Sequence, residues 1–591
     1  MKLNPRGTTV VAVLSCACLA AGCSTLPSKS DPQALRSFEG SASSQAQGPQ
    51  PDRAPDLLIR DFFAASAQPT QQYQLACSYL TSDASSSWNP DSTITVVDRL
   101  DVNLAQGQDN STVLTEDPAS SSVDNAKSAS YKVSGLVVGQ IEVGGGYTPK
   151  NQELNETLEL EKVDGQWRIS SLPNSIVVER SELRNRYSSH NVYFFEPSGN
   201  TLVGDRRWMF SGSSSLDTAL ISLIIEGPSD TIAPGVLNEI PSGASFAGVT
   251  DGVYQLTGVA KLNDDAQRRL AAQLVWTLAL ADIPGPYHFA FDGVNVASKS
   301  GSTELTVEDF AEYNPQATNG TVSSLYAIRN GQLVQVSNDR LNPVTGQLGQ
   351  LTNVESADMA TQTSTFAAVT ATGEGDSKES RLVLAGQDGA VAEILKAKTL
   401  TRPTFEYGAN SMWTVLDGKT IARISRSAGS GEIAQTTVDT SSLGDNVGAI
   451  SVLRLSYTGV RAAFIIDGHV YVATVSRPNA GERKLTNVQE YLASNNLQAV
   501  SLDWQADGSL VVGTASQDTP VWRVEQDGSS AQALPASNIQ APVVNVASTN
   551  SVVYATDTRA ALELSTSGSG STFWREVQGL EGVRSIAIVP H

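Results

Sequence analysis

A chain of 591 residues with a formal charge of −21 and an isoelectric point near 4.7 has room for about three or four domains. Such an acidic protein repels phosphate backbones and acidic polymers, so nucleic acid is not an expected partner. It has four cysteines, at positions 16, 18, 23 and 77. Only Cys77 falls in the folded part, so no disulfide framework is available and the folded part must rely on ordinary cores.

The N-terminus has the layout of an export signal. Lys2 and Arg6 give a positive start. Val10 to Ala21 is an apolar or small run of about a dozen residues, too short for a stable membrane span. Ala21 and Gly22 are small, as a processing site requires, and Cys23 follows. The stretch LAAGCSTLPSKSDPQ resembles the bacterial lipobox. It departs in one respect: Ala20 stands three residues before the cysteine and the large aliphatic Leu19 four before. The resemblance implies a signal peptide at 1–22 and a diacylglycerol on the thiol of Cys23, which becomes the first residue. Val13-Leu14-Ser15-Cys16 is a rival site with a shorter apolar run before it. Secretion with an unmodified Cys23 is the alternative. A diacyl anchor holds far better than one chain, since each buried methylene adds about 0.8 kcal/mol.

Residues 23–52 are rich in Ser, Pro, Gln, Gly and Ala and cannot form a core. They are expected to be a flexible tether with a root-mean-square span of roughly 30 Å. No later apolar run reaches membrane-spanning length, so a soluble body on a membrane anchor is expected.

Residues 53–178 are read as an α+β domain. DLLIRDFFAAS places Leu57, Leu58, Phe62 and Phe63 on one helical face, and QQYQLACSYLTSDASSSW repeats the pattern as a second helix in which Cys77 is a small buried residue. Alternating strands follow: TITVVDRLDVNL, SASYKVSGLVVGQIEV and ELNETLELEKVDGQWRISSL, the last turning at Asp164-Gly165. Gly144-Gly145-Gly146 reads as a loop. The order resembles NTF2-like domains, in which helices fold into a curved sheet that often holds a pocket. Without clustered His, Asp and Glu, an interaction module is the favoured reading.

Residues 188–300 open on the strand NVYFFEP. The helix SLDTALISLIIEGPS carries Leu216, Ala219, Leu220, Leu223 and Ile224 on one stripe, with Ser215 placed to cap it and Gly227-Pro228 to end it. A second helix has Asp264 and Gln267 in capping-box spacing and a stripe of Leu270, Leu274, Val275 and Leu278. A strand with a turn at Asp292-Gly293 closes the unit. The blocks LISLIIEGPS, IPSGASFAGV, QLVWTL and FAFDGV, in that order, resemble the GerMN domain, which implies binding or assembly.

Residues 319–591 repeat a strand–turn unit. Phe366, Phe405, Leu453, Val500 and Val544 begin comparable strands at a spacing of roughly 40 to 48 residues, the blade period of a β-propeller. Asp388-Gly389, Asp417-Gly418, Asp467-Gly468 and Asp527-Gly528 fall at hairpin positions. The segment holds about six blades. SSLYAIRNGQLVQVS lacks an inner strand before it, and VRSIAIVPH has an inner-strand pattern with nothing after it. The two are expected to complete one blade, so that the ring closes without exposed edges. The fold class is thus multidomain α+β and all-β.

Catalytic constellations are not visible. The four histidines, His190, His288, His469 and His591, are scattered, and none has HxH or HExxH spacing. There is no EF-hand loop, no GxSxG, and GEGDSK lacks Walker spacing. No metal, cofactor or catalytic residue is expected, and Asp503-Trp504, similar to the WD dipeptide, is read as structural.

Lipobox, tether, NTF2-like segment, GerMN domain and propeller, in that order, resemble LpqB, the actinobacterial lipoprotein family. The resemblance implies a lipid-anchored accessory of the MtrA–MtrB two-component system. Its partner would be the extracytoplasmic domain of the sensor histidine kinase MtrB, with effects on cell-wall homeostasis and division. No contact residues can be carried over. A cell-wall ligand-binding lipoprotein is the alternative, and a propeller hydrolase a more distant one.

Overall fold

The computed structural model describes residues 48–105, 126–212, 215–315, 324–337, 340–373, 375–386, 389–427, 429–444, 447–549, 551–566 and 571–590. Cys23, the leader, most of the tether and Asp388 lie outside these residues. Among the described residues no helix is long and apolar enough to cross a membrane.

The first domain packs the helix Pro55–Ser66 against a sheet ordered Gln166–Ser171, Tyr147–Val163, Ser128–Ile141, Ile94–Val97, Ile176–Glu179. Leu58, Ile59, Phe62 and Phe63 are buried, whereas Leu57 is exposed, so the apolar face is turned by one position from the expected one. The expected second helix is broken into Thr70–Tyr73, Gln74–Cys77 and Ser82–Ser87. Gln71, Gln72 and Tyr73 take left-handed φ of 50°, 55° and 59°, which no continuous helix allows. Leu80 then leaves helical geometry to bridge Ile169. Cys77 is consequently only half-buried. TITVVDRLDVNL is two strands, Ile94–Val97 and Asp101–Leu104, both paired with Ser128–Ile141.

The second domain begins with a two-stranded ribbon, Tyr187–Phe195 and Leu202–Phe210. Helices Leu216–Glu226 and Asp264–Leu280 cover a small sheet, and Leu220, Ile224, Leu270, Leu274 and Phe289 meet in one core. The caps differ from the expected ones. Ser215 occupies the N-cap position, but its hydroxyl turns to Asp217 and caps no backbone N–H. The second helix is capped one residue earlier than expected, by Asn263 Oδ1 accepting from the Ala266 N–H at 2.9 Å, while Gln267 donates to Leu262 O.

The third region is a ring of six four-stranded sheets. Blades two to six run from inner to outer strand in chain order, with inner strands Val354–Ala360, Thr404–Phe405, Ile450–Leu455, Ala499–Trp504 and Asn545–Ser548. Phe366 therefore lies in the second strand of its blade, Thr365–Thr372, and not in the first. The signal there was the more apolar of two adjacent strands. Blade one is composite: Ser585–Ile588 is its inner strand, followed by Leu325–Arg329, Gln332–Ser337 and Arg340–Pro343. The pairs Tyr326–Ile588 and Ile328–Ile586 close the ring, as the two half-blades in the sequence imply.

Inside the ring, side chains from the inner strands of separate blades converge. Arg454 is buried and donates to Asp503 at 2.9 Å, to Asp358 at 3.1 Å and to Pro403 O at 2.9 Å. Arg402 adds a longer contact to Asp358, 3.5 Å. Trp504 Nε1 donates to Arg454 O at 3.0 Å. Asp503-Trp504 thus has the structural role expected of it.

Candidate functional site

The three folded domains are docked on one another, and one strand reaches both interfaces of the second domain. In Leu202–Phe210, alternate side chains point to opposite faces. Arg206 and Trp208 point one way and reach the hairpin of blade five. Arg206 Nη1 lies 2.8 Å from Glu525 Oε2, and Trp208 Nε1 donates to Asp527 at 3.0 Å. Arg207 points the other way. It pairs with buried Asp205 at 2.8 Å and donates to Gly227 O and to Gly144 O of the first domain. The Trp208 N–H donates to Gly145 O at 2.7 Å. Three consecutive residues thus fasten the second domain to both neighbours.

The triple glycine explains how the first domain comes so close. Gly145 has φ of +85°, and a Cβ there would lie 2.4 Å from Trp208 O. Only glycine permits that approach. Gly528 does the same for the propeller, since a Cβ would meet Pro149 of the first domain at 2.8 Å. Between second domain and propeller, Val203, Ile232 and Val460 form a buried apolar contact. Thr474 Oγ1 donates to Thr231 O at 2.5 Å, and Asn487 Nδ2 to Asp230 O at 2.7 Å.

Beside this contact lies a cavity of 340 Å³, shared by the ribbon of the second domain and the hairpins of blades four and five. Its walls include Asn191, Tyr193, Tyr457, Arg461, Trp504 and Asp507. Arg461 Nη2 donates to Gly204 O at 2.9 Å. Burial pushes the Arg461 guanidinium below its usual range, against the opposing influence of Tyr491, Asp205 and Asp527. Burial also pushes the Tyr193 hydroxyl up to about 12, partly offset by Asn191. Asp507 accepts from Ser509 and Arg523, the latter at 2.6 Å.

A second buried polar group lies between blades three and four. Glu406 accepts from Trp413 Nε1 at 2.7 Å, Arg423 Nε at 2.7 Å and Arg483 Nη2 at 3.1 Å. Among the described residues no three His, Cys, Asp or Glu side chains gather as metal ligands would. Of the histidines, His190 touches Ser188, and His469 pairs with Glu490 on the surface. Sequence reasoning did not single out Arg206, Arg207, Trp208 or Arg461. The one available signal was a strand, DRRWMF, with large polar and aromatic residues on both faces.

An α+β unit, a second unit of two helices on a small sheet and a six-bladed propeller, docked on one another, define a multidomain protein. Three family models match it in order: "Lipoprotein LpqB, N-terminal domain" over 48–184, "Sporulation and spore germination" over 191–297, and "Lipoprotein LpqB beta-propeller domain" over 331–590. Full-length relatives named Lipoprotein LpqB share the whole architecture. One from Corynebacterium diphtheriae is 50% identical over 99% of each chain. One from Corynebacterium jeikeium is 36% identical over 97% of this chain and 95% of that one. One from Rhodococcus jostii is 35% identical over 99% of this chain and 97% of that one. The chain belongs to the LpqB lipoprotein family.

Proposed function

We propose that this protein is anchored to the extracytoplasmic face of the cell membrane by a lipid on Cys23 and acts there without catalysis. In this reading it binds the extracytoplasmic domain of an MtrB-type sensor histidine kinase and modulates MtrA–MtrB signalling, and so cell-wall homeostasis and division. The observation that supports the reading is the fastening of three domains through Arg206, Arg207 and Trp208, which presents their surfaces in one fixed arrangement. The system in which such a surface would work is the one that the resemblance to the LpqB family implies.

Tethering matters physically. Confinement to the membrane that holds the kinase raises effective concentration, so modest affinity suffices for high occupancy. Modulation further requires unequal affinity for the two kinase states, since equal binding shifts nothing. The test is a crosslink map in cells, combined with kinase output in a deletion strain complemented by anchored or lipid-free protein at matched abundance. The reading expects crosslinks to the kinase ectodomain and full restoration only by the anchored form. Unchanged output on deletion, in every condition tried, would remove the regulator; wall fragments in place of the kinase would favour the cell-wall binder.

A further inference from the structure

The cavity between the second domain and the propeller is lined by a cation without an ion-pair partner and by a residue with an unpaired acceptor, among the described residues. Arg461 forms no ion pair among the described residues. The acidic groups that oppose its burial are engaged elsewhere: Asp205 with Arg207 at 2.8 Å, Asp527 with Trp208 at 3.0 Å and Arg206 at 3.5 Å. Its guanidinium has five N–H donors, and its one hydrogen bond among the described residues is to Gly204 O. On the ribbon side, Asn191 Oδ1 is buried without a hydrogen-bond partner among the described residues. A buried acceptor left empty costs about 1–3 kcal/mol, so such a group calls for an occupant.

We infer that this cavity is a binding site for a small carboxylate-bearing molecule that also carries an amide N–H. The carboxylate would face Arg461, which suits a planar two-oxygen acceptor. The amide N–H would face Asn191 Oδ1. Tyr193, Tyr457 and Trp504 supply flat apolar walls, and the volume lies at the lower end of small-molecule pockets. One unneutralised cation, with Asp507 on the same wall, favours a monoanion over a phosphate dianion. Carboxylate and amide N–H occur together in N-acylated sugar acids and in short peptides with a free C-terminus. The ligand would touch both domains at once, which makes the site distinct from any outward surface used by a protein partner.

The experiment is calorimetric titration of the full chain, purified in detergent, with N-acetylmuramic acid and with D-alanyl-D-alanine. The carboxamide of each compound is the control. Saturable binding of at least one acid is expected, about tenfold or more over its carboxamide. A response to one compound alone assigns the sugar or the peptide source. Arg461→Gln should abolish the preference for acid over carboxamide. Because Arg461 also touches Gly204, Asn191→Asp is the second variant: it leaves Arg461 in place, adds a negative charge to the cavity wall, and should weaken the acid more than the carboxamide. No saturable binding up to about 10 mM, equal binding of acid and carboxamide, or unaltered binding in both variants would overturn the assignment.

Discussion

Arg454 and Asp503, on the inner strands of neighbouring blades, meet at 2.9 Å in a place from which water is excluded. The same guanidinium reaches Asp358 of blade two, so one side chain draws three blades together. Arg454→Met would leave two buried carboxylates whose remaining pairing with a cation is the longer contacts of Arg402. Removing one partner from a buried pair costs about 3–5 kcal/mol. Arg454→Met should therefore shift the denaturation midpoint of the propeller far more than Arg402→Met. Equal midpoints for the two variants would mean that Arg454 does not hold the ring.

Glu406 links stability to pH. Burial alone pushes its carboxyl up. The hydrogen bond from Arg423 and the charges of Arg483 and Arg423 overcome this and hold it below the usual range. A carboxyl held low in the folded state stabilises that state above its unfolded value, and the contribution is lost as pH falls through the folded one. Stability should thus decline below about pH 4.3. Glu406→Gln should lower stability at neutral pH by about 3 kcal/mol and flatten this acid limb. An acid limb of unchanged steepness in the variant would assign the titration to another group.

Ring closure can be tested by removing Val583 to His591. Ile588 and Val589 are buried, and Ile586 is packed at the edge of the same core. At roughly 1.5–3 kcal/mol per large buried side chain, the loss is comparable with the stability of a whole domain. Aggregation or rapid proteolysis of the propeller is expected. An unchanged melting temperature would show that Leu325–Arg329 does not need its inner partner.

Gly145→Val should undo the docking of the first domain, because the new side chain would have to occupy the space of Trp208 O. The helix Arg180–Arg186 joins the two domains, with Leu183 buried and Arg186 paired to Glu182. Limited trypsin digestion should cut at Arg184 or Arg186 faster in the variant, with both domains still folded by circular dichroism. Identical digestion rates would show that the glycine turn is not what fixes the two domains.

Cys23→Ala should block thiol lipidation and leave the protein in the medium or as an uncleaved precursor. Membrane fractionation and intact mass report both outcomes. Lipid still attached, with processing at the same residue, would place the anchor elsewhere.

What could be read from the sequence follows from how local each signal is. The stripe Leu270, Leu274, Val275 and Leu278 declares a helix within one window, and the two half-blades declare their own incompleteness. Docking was not legible, because it depends on pairs such as Arg206–Glu525 and Trp208–Asp527 between distant parts of the chain. The cavity was hidden for the same reason: Asn191 and Arg461 belong to different domains. Local errors had local causes. Tyr73 and its neighbours read as helical by apolar spacing, but left-handed backbone there breaks the helix, and Asn263 outcompeted Asp264 for the cap.

The composite blade also sets an order of events during folding. Ser585–Ile588 follows every other propeller strand along the chain, yet its place is innermost, beside Leu325–Arg329. That strand must therefore be available before the first blade of the ring can be completed. Until it arrives, Leu325–Arg329 presents an open edge able to pair with strands of other chains. Copies that meet in this state would pair edge to edge. The hazardous interval for this protein is set by the time this strand takes to become available, and shielding of that edge during folding would protect it more than any added stability of the finished ring.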